Sequence, residues 1–100
     1  MDKYKVKMLS RASRDLDNIY NHIADTFKEI GTAEKMADSL EAAILSLDEM
    51  PYRGAVRRTG AFANRGYRQI FVKNFTIVYR IDEPHKTVII VTIRYTPSSF

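Results

Sequence analysis

The stretch from Arg65 to Tyr95 sets the strongest limit on what this chain can fold into. Within it, the runs at 65–72, 75–82 and 87–95 are dominated by β-branched and aromatic residues, which suit a pleated and partly buried surface. Lys73-Asn74 and Asp82-Glu83-Pro84-His85-Lys86 separate them and supply the polar chemistry that reverses a chain. Three consecutive antiparallel strands are expected. In the second run Phe75, Ile77, Tyr79 and Ile81 share one face while Thr76, Val78 and Arg80 share the other, and the first set is expected to face the core. In the third run Ile89, Val91, Ile93 and Tyr95 alternate with Val88, Ile90, Thr92 and Arg94. The second face is therefore expected to gather Thr76, Arg80, Thr92 and Arg94, joined by Arg68 if its register permits. A guanidinium is not left unpaired in an apolar core, so part of this face should be open to solvent or to a partner.

The first half of the chain must cover the other face. Tyr4, Val6 and Met8 alternate with Lys5 and Lys7, the pattern of a half-buried edge strand whose lysines discourage edge-to-edge pairing. Ser10 is a candidate N-cap for a first helix, with Asp15 and Asp17 near the start where the macrodipole favours anions. Leu16, Ile19, Tyr20, Ile23, Ala24 and Phe27 form its apolar stripe. Ile30-Gly31-Thr32 is expected to break this helix, Thr32 capping a second one. There Ala33, Met36, Ala37, Leu40, Ala43, Ile44, Leu47 and Met50 recur at helical spacing until Pro51. An antiparallel helical hairpin on one face of a sheet gives an α+β fold in the order β-α-α-β-β-β, one domain over residues 1–100. Residues 51–64 lose periodicity and carry Arg53, Arg57 and Arg58, which reads as a mobile basic loop.

Charge sharpens this division. Residues 1–50 hold 7 Lys+Arg against 10 Asp+Glu, whereas residues 51–100 hold 9 against 2, so the basic field belongs to the loop and sheet. Such a field attracts RNA, DNA or an acidic protein segment. Cysteine is absent, which removes disulfide scaffolds, thiolate metal sites and cysteine nucleophiles. No signal-like apolar run opens the chain and none is long enough to span a bilayer, so a cytoplasmic protein without membrane association is expected.

Most catalytic constellations are missing as well. There is no Gly-rich phosphate loop, no metal-spaced histidine cluster and no nucleophile elbow, and no cofactor or metal is expected. His22 and His85 stand alone. What remains is RNA chemistry without histidine, in which cations stabilise the reacting phosphate and a tyrosine handles a proton. Arg68, Arg80, Arg94 and Tyr95 are the candidates. In the alternative, the arginines grip a partner's carboxylates and Tyr95 merely packs.

Four stretches together resemble the RelE/ParE superfamily of toxins from type II toxin-antitoxin, or plasmid-stabilisation, modules. They are the opening strand, Ser10-Arg11-Ala12-Ser13-Arg14-Asp15-Leu16, Met50-Pro51-Tyr52-Arg53-Gly54, and Phe75-Thr76-Ile77-Val78-Tyr79-Arg80-Ile81-Asp82 followed by Val88-Ile89-Ile90-Val91. The resemblance implies a helical hairpin over a small antiparallel sheet, a cognate antitoxin as partner, and one of two targets. RelE-like members cut mRNA in the ribosome, and ParE-like members inhibit DNA gyrase. A RelE-like nuclease typically places a catalytic arginine where this chain has Thr76, and lysines where it has Tyr67 and Gln69. The hairpin around Lys73-Asn74 is more ParE-like, although Thr96-Pro97-Ser98-Ser99-Phe100 stands where ParE-like members carry a basic tail, and Arg94-Tyr95 is similar to the nuclease branch. The expectation leans to a ParE-like gyrase inhibitor in which Arg53, Arg57, Arg58, Arg65 and Arg80 bind target or antitoxin. The alternative is a ribosome-dependent mRNA endonuclease using Arg68, Arg94 and Tyr95. A third reading is an inactive relative kept as an antitoxin-binding module.

Overall fold

The computed structural model describes residues 3–27 and 30–96. Its elements are β1 (Lys5–Met8), α1 (Ser10–Phe27), α2 (Ile30–Ser46), a 3₁₀ turn at Pro51–Arg53, β2 (Ala55–Val56), β3 (Arg68–Val72), β4 (Phe75–Asp82) and β5 (Thr87–Tyr95). One five-stranded sheet runs in the order β1-β5-β4-β3-β2. The expected meander is present as β3-β4-β5, with Val72 facing Phe75 across the Lys73-Asn74 turn. Two strands extend it. β1 lies at one edge and pairs with β5 in parallel, Val6 opposite Val88, while the two-residue β2 closes the other edge antiparallel to β3.

The helical hairpin packs on one face. Ala12, Ile23, Ala33, Leu40, Ile44 and Leu47 meet Ile70, Phe75, Ile77 and Tyr79 in a single core, with Leu16, Ile19, Tyr20, Ala24, Met36, Ala43 and Ile81 packed against it. The helical periodicity thus identified the buried stripe, with two corrections. Met50 lies beyond the end of α2 and is 61% exposed, because the helix stops at Ser46 and the chain turns away before Pro51. Gly31 and Thr32 lie inside the first turn of α2, which begins at Ile30, so Thr32 is not a cap outside it. Residues 28–29, the side chain of Phe27 and residues 97–100 lie outside the described structure. No helix among the described residues is long and apolar enough to cross a membrane.

Strict alternation along β5 fails at one residue. Val78 pairs with Thr92 but the next residue, Tyr79, pairs with Ile90, leaving Val91 as the extra residue of a β-bulge, which shifts the side-chain phase by one. Val88 and Ile90 before the bulge, and Ile93 after it, therefore all belong to the core under the helices. Val88 and Ile90, expected on the second face, are corrected accordingly.

The second face is not bare. Thr76, Val78, Ile89, Val91 and Thr92 are buried, although the helices pack on the opposite side. The long β2–β3 connection accounts for this cover by folding across the sheet, because Phe62 lies 5.1 Å from Tyr67 and 5.9 Å from the Arg11 guanidinium at the start of α1. Phe62 adopts φ +68° and Asn64 φ +58°, a region that a bulky side chain enters only when its surroundings hold it there.

Candidate functional site

Register divides the basic residues into two groups. Arg68 pairs with Tyr79, and Tyr79 faces the helices, whereas Arg94 pairs with Thr76 on the outer face. Tyr95 follows Arg94 and so points back to the helix side, where its ring meets Phe75 edge-on at 5.8 Å. The proposed trio of Arg68, Arg94 and Tyr95 is therefore not brought together on one surface.

Arg68 is engaged with the chain itself. Its Nη1 donates to the Gly54 carbonyl at 2.7 Å and, at the long limit, to the Tyr52 carbonyl at 3.5 Å, with the guanidinium 4.9 Å over the Tyr52 ring. These contacts belong to a junction that grips the exit from the helical hairpin. At its centre the fully buried Tyr79 donates its hydroxyl to the Pro51 carbonyl at 2.6 Å and accepts the Gly54 amide at 3.1 Å. Burial pushes the Tyr79 phenol up, against the Gly54 hydrogen bond and the positive charges of Arg68 and Arg53 that pull it down, which keeps the hydroxyl proton available to donate. Gly54 has ordinary extended dihedrals, φ −81° and ψ 147°, so its role is spatial. A Cβ there would lie 2.4 Å from the Tyr79 hydroxyl and 2.6 Å from the Gln69 carbonyl oxygen.

A third side chain completes the junction. The Glu83 carboxylate accepts the Tyr4 hydroxyl at 2.7 Å, the Tyr52 hydroxyl, and the Lys86 ammonium at 2.5 Å. Lys86, followed by Tyr52 and Tyr4, holds the Glu83 carboxyl down to about 2, and the same carboxylate raises Lys86 and both phenols. No local pattern marks this cluster, whose members come from positions 4, 52, 83 and 86.

Arg57 is also used internally. It is only 8% exposed, and its Nε and Nη1 donate to the Ala61 carbonyl at 2.5 Å and to Gln69 Oε1 at 2.7 Å. Its own amide reaches the Tyr67 carbonyl and its carbonyl accepts Asn64. The connection expected to be an irregular basic loop thus contains a 3₁₀ turn, a short strand and a segment folded around one guanidinium. Arg53 is exposed and donates to Ser46 Oγ at 2.8 Å. Arg58, Arg65 and Arg80 are exposed.

On the outer face Thr76 is 2% exposed and shares a hydrogen bond of 2.9 Å with Thr96. Arg94 is half-buried, its Nε 3.3 Å from Thr92 Oγ1. Asp15 does not serve the start of its helix. It accepts Thr92 Oγ1 at 2.5 Å and the Ile93 amide at 3.2 Å, satisfying the edge of β5 past the end of β1. Under the helical hairpin a groove of about 630 Å³ is lined by Ile19, His22, Met36, Asn74, Phe75 and Tyr95, among others.

A family model described as the ParE toxin of the type II toxin-antitoxin system parDE matches residues 6–97. The chain belongs to the ParE toxin family. No curated protein sequence matches it, but solved structures share the fold. The chromosomal ParDE toxin-antitoxin system from P. aeruginosa superposes with a TM-score of 0.76 at 22% identity, covering 93% of this chain and 96% of that one. The RelBE2 toxin-antitoxin complex from Mycobacterium tuberculosis gives 0.64 at 24%, over 95% and 93%. A YoeB/ParE toxin from Agrobacterium tumefaciens gives 0.60 at 17%, over 91% and 96%. Within this ParE-family fold, Arg57 and Arg68 hold the chain to itself, while Arg58, Arg65 and Arg80 face solvent.

Proposed function

We propose that this chain is the growth-inhibiting member of a type II toxin-antitoxin pair, neutralised by a cognate antitoxin, and that it acts on DNA gyrase rather than by cutting mRNA. Family membership supports the toxin role, and the names of solved relatives as toxin-antitoxin systems and complexes support an antitoxin partner. The observation that carries the choice of target is Thr76. An RNA nuclease must neutralise charge developing on the phosphate, and one preorganised donor is worth roughly 3 to 4 kcal/mol, two to three decades of rate. At the position where RelE-like nucleases hold an arginine, this chain has a buried neutral hydroxyl occupied by Thr96. Of the two arginines weighed to replace it, Arg68 lies on the helix side bound to the Gly54 carbonyl, and Arg80 lies four residues further along β4.

The test is a pair of assays on the purified protein. DNA supercoiling by gyrase should fall in its presence, and ribosome-bound mRNA should remain intact. Rapid codon-positioned cleavage, abolished by Arg94→Ala, would instead establish the nuclease reading, for which the outer-face position of Arg94 beside Thr76 is the supporting observation. The antitoxin is tested separately. A protein encoded by the neighbouring reading frame should co-purify with this one and restore growth.

A further inference from the structure

The segment that covers the outer face is tied to the rest of the molecule by very little. Its base is closed at Arg57 and Tyr67, where the Arg57 amide donates to the Tyr67 carbonyl at 2.8 Å. Between them, residues 58–66 hydrogen-bond only inward among the described residues, Ala61 and Asn64 to Arg57 and Ala63 to Gly60. Of residues 58–66 only Phe62 and Ala63 are even partly buried. The contact that reaches across to a helix is made by the Phe62 ring, 5.9 Å from the Arg11 guanidinium. A segment with few buried contacts and no hydrogen bonds to its surroundings sits at the low end of local stability.

Its backbone points the same way. Phe62 is held at φ +68°, a conformation that an aromatic residue keeps only while its neighbours impose it, so the closed form carries strain that opening releases. Gly66, beside the base, has φ +80° and open space around its Cβ position, which gives the segment a joint.

Beneath it lies a strip of apolar sheet. Val78 and Thr92 are fully buried there, with Val91 and Ile89 close to it. Register sets the strip between two groups of cations. Lys7 and Arg80 share one row with Ile89, Arg94 pairs with Thr76 in another, and Val78 pairs with Thr92 between them. In the closed molecule the outer face therefore shows its charges and hides its apolar centre.

We propose that residues 58–66 form a lid that opens as a unit from its base at Arg57 and Tyr67, with the Phe62–Arg11 contact as its clasp. Opening uncovers the strip around Val78 while the core under the helices stays packed. The lid is a property of the fold and does not depend on what the toxin inhibits.

The experiment uses the absence of cysteine. Val78→Cys places a single thiol under the lid, and Val88→Cys places one in the core under the helices, both at positions of 0% exposure. Each full-length variant is labelled with a thiol reagent in 0 to 1 M urea. Local opening costs less than global unfolding, so the thiol at position 78 should label at least about tenfold faster in water than the one at position 88. Its rate should stay nearly flat in urea, whereas the rate at position 88 rises about fivefold or more per molar. Adding Arg11→Gln should speed labelling at position 78 by about 2- to 5-fold, the worth of an exposed cation–π contact. Adding Ile44→Val, within the helical core, should speed labelling at position 88 by about 2- to 10-fold and leave position 78 unchanged.

Far-UV circular dichroism establishes that each variant is folded, and Val91→Cys replaces Val78→Cys if that variant is not. Equal rates and equal urea dependence at positions 78 and 88 overturn the proposal, because the cover then opens only with the whole protein. Labelling at position 78 within about tenfold of the urea-unfolded chain overturns it from the other side, since local opening is then essentially free and nothing is closed. A rate at position 78 that Arg11→Gln leaves unchanged, or that Ile44→Val raises as much as at position 88, also overturns it. None of these outcomes bears on antitoxin co-purification, so this inference and the toxin reading fail separately.

Discussion

The junction around Pro51–Gly54 and the row formed by Lys7 and Arg80 use similar side chains to opposite ends. At the junction, the cations Arg68 and Lys86 find a backbone carbonyl or a carboxylate within 2.7 Å, and their charge holds distant segments together. On the outer row, the neighbours of Lys7 and Arg80 across the strands are hydrocarbon, and the charge remains directed at solvent. What separates an internal strut from a solvent-facing cation in this sheet is the acceptor within reach, which depends on register rather than residue type. A count of arginines therefore overstates the binding surface.

The sharpest way to break this contrast is at Gly54. Gly54→Ala forces a Cβ into the Tyr79 hydroxyl and the Gln69 carbonyl, and should cost about 3 kcal/mol, the upper end of overpacking penalties, read as a lowered urea midpoint. Tyr79→Phe removes one hydroxyl but leaves the buried Pro51 carbonyl and Gly54 amide without it, a loss of about 1 to 3 kcal/mol. Arg57→Ala and Arg80→Ala then compare the two classes of arginine directly. The first should lose about 2 kcal/mol, because hydrogen bonds from a charged group are worth roughly 1.5 to 3 kcal/mol. The second should stay within about 0.5 kcal/mol, and equal losses would erase the distinction.

The smallest effect lies in the pH dependence at Glu83. Its carboxyl is held at about 2 against the usual 4.5, so the folded protein binds the proton less readily than the unfolded chain does. Its contribution is present above pH 4.5 and fades as pH falls toward 2. Lys86 is shifted upward, so its contribution is present below its ordinary value and is lost as pH rises through the folded one. Urea midpoints measured from pH 5 to pH 2 should fall less steeply for Glu83→Gln than for the unaltered protein. Parallel curves would mean that the exposed cluster is already screened by solvent.

Much of the fold was legible because two periods are written plainly in the chain. The stripes of both helices and the two faces of β4 follow from spacing alone, and Phe75, Ile77 and Tyr79 are buried where alternation put them. The bulge at Val91 was not legible. It sits in Val88-Ile89-Ile90-Val91, where every residue is apolar and either phase reads equally well. The site was less legible still, since Arg68 and Arg80 look alike in sequence and differ only in which face the register gives them. The Glu83 cluster joins Tyr4, just before β1, to the 3₁₀ turn and the β4–β5 turn, and no local pattern connects positions that far apart.

The parallel pairing of β1 with β5 has a consequence for how the toxin comes into being. A strand made from residues 5–8 waits for a partner made from residues 87–95, and contacts so distant in sequence slow the search for the native state. During synthesis the helical hairpin emerges with its apolar stripe uncovered, because the strands that bury it follow it in the chain. Assembly of the full sheet therefore waits until β5 has been made, about eighty residues after the strand that pairs with it.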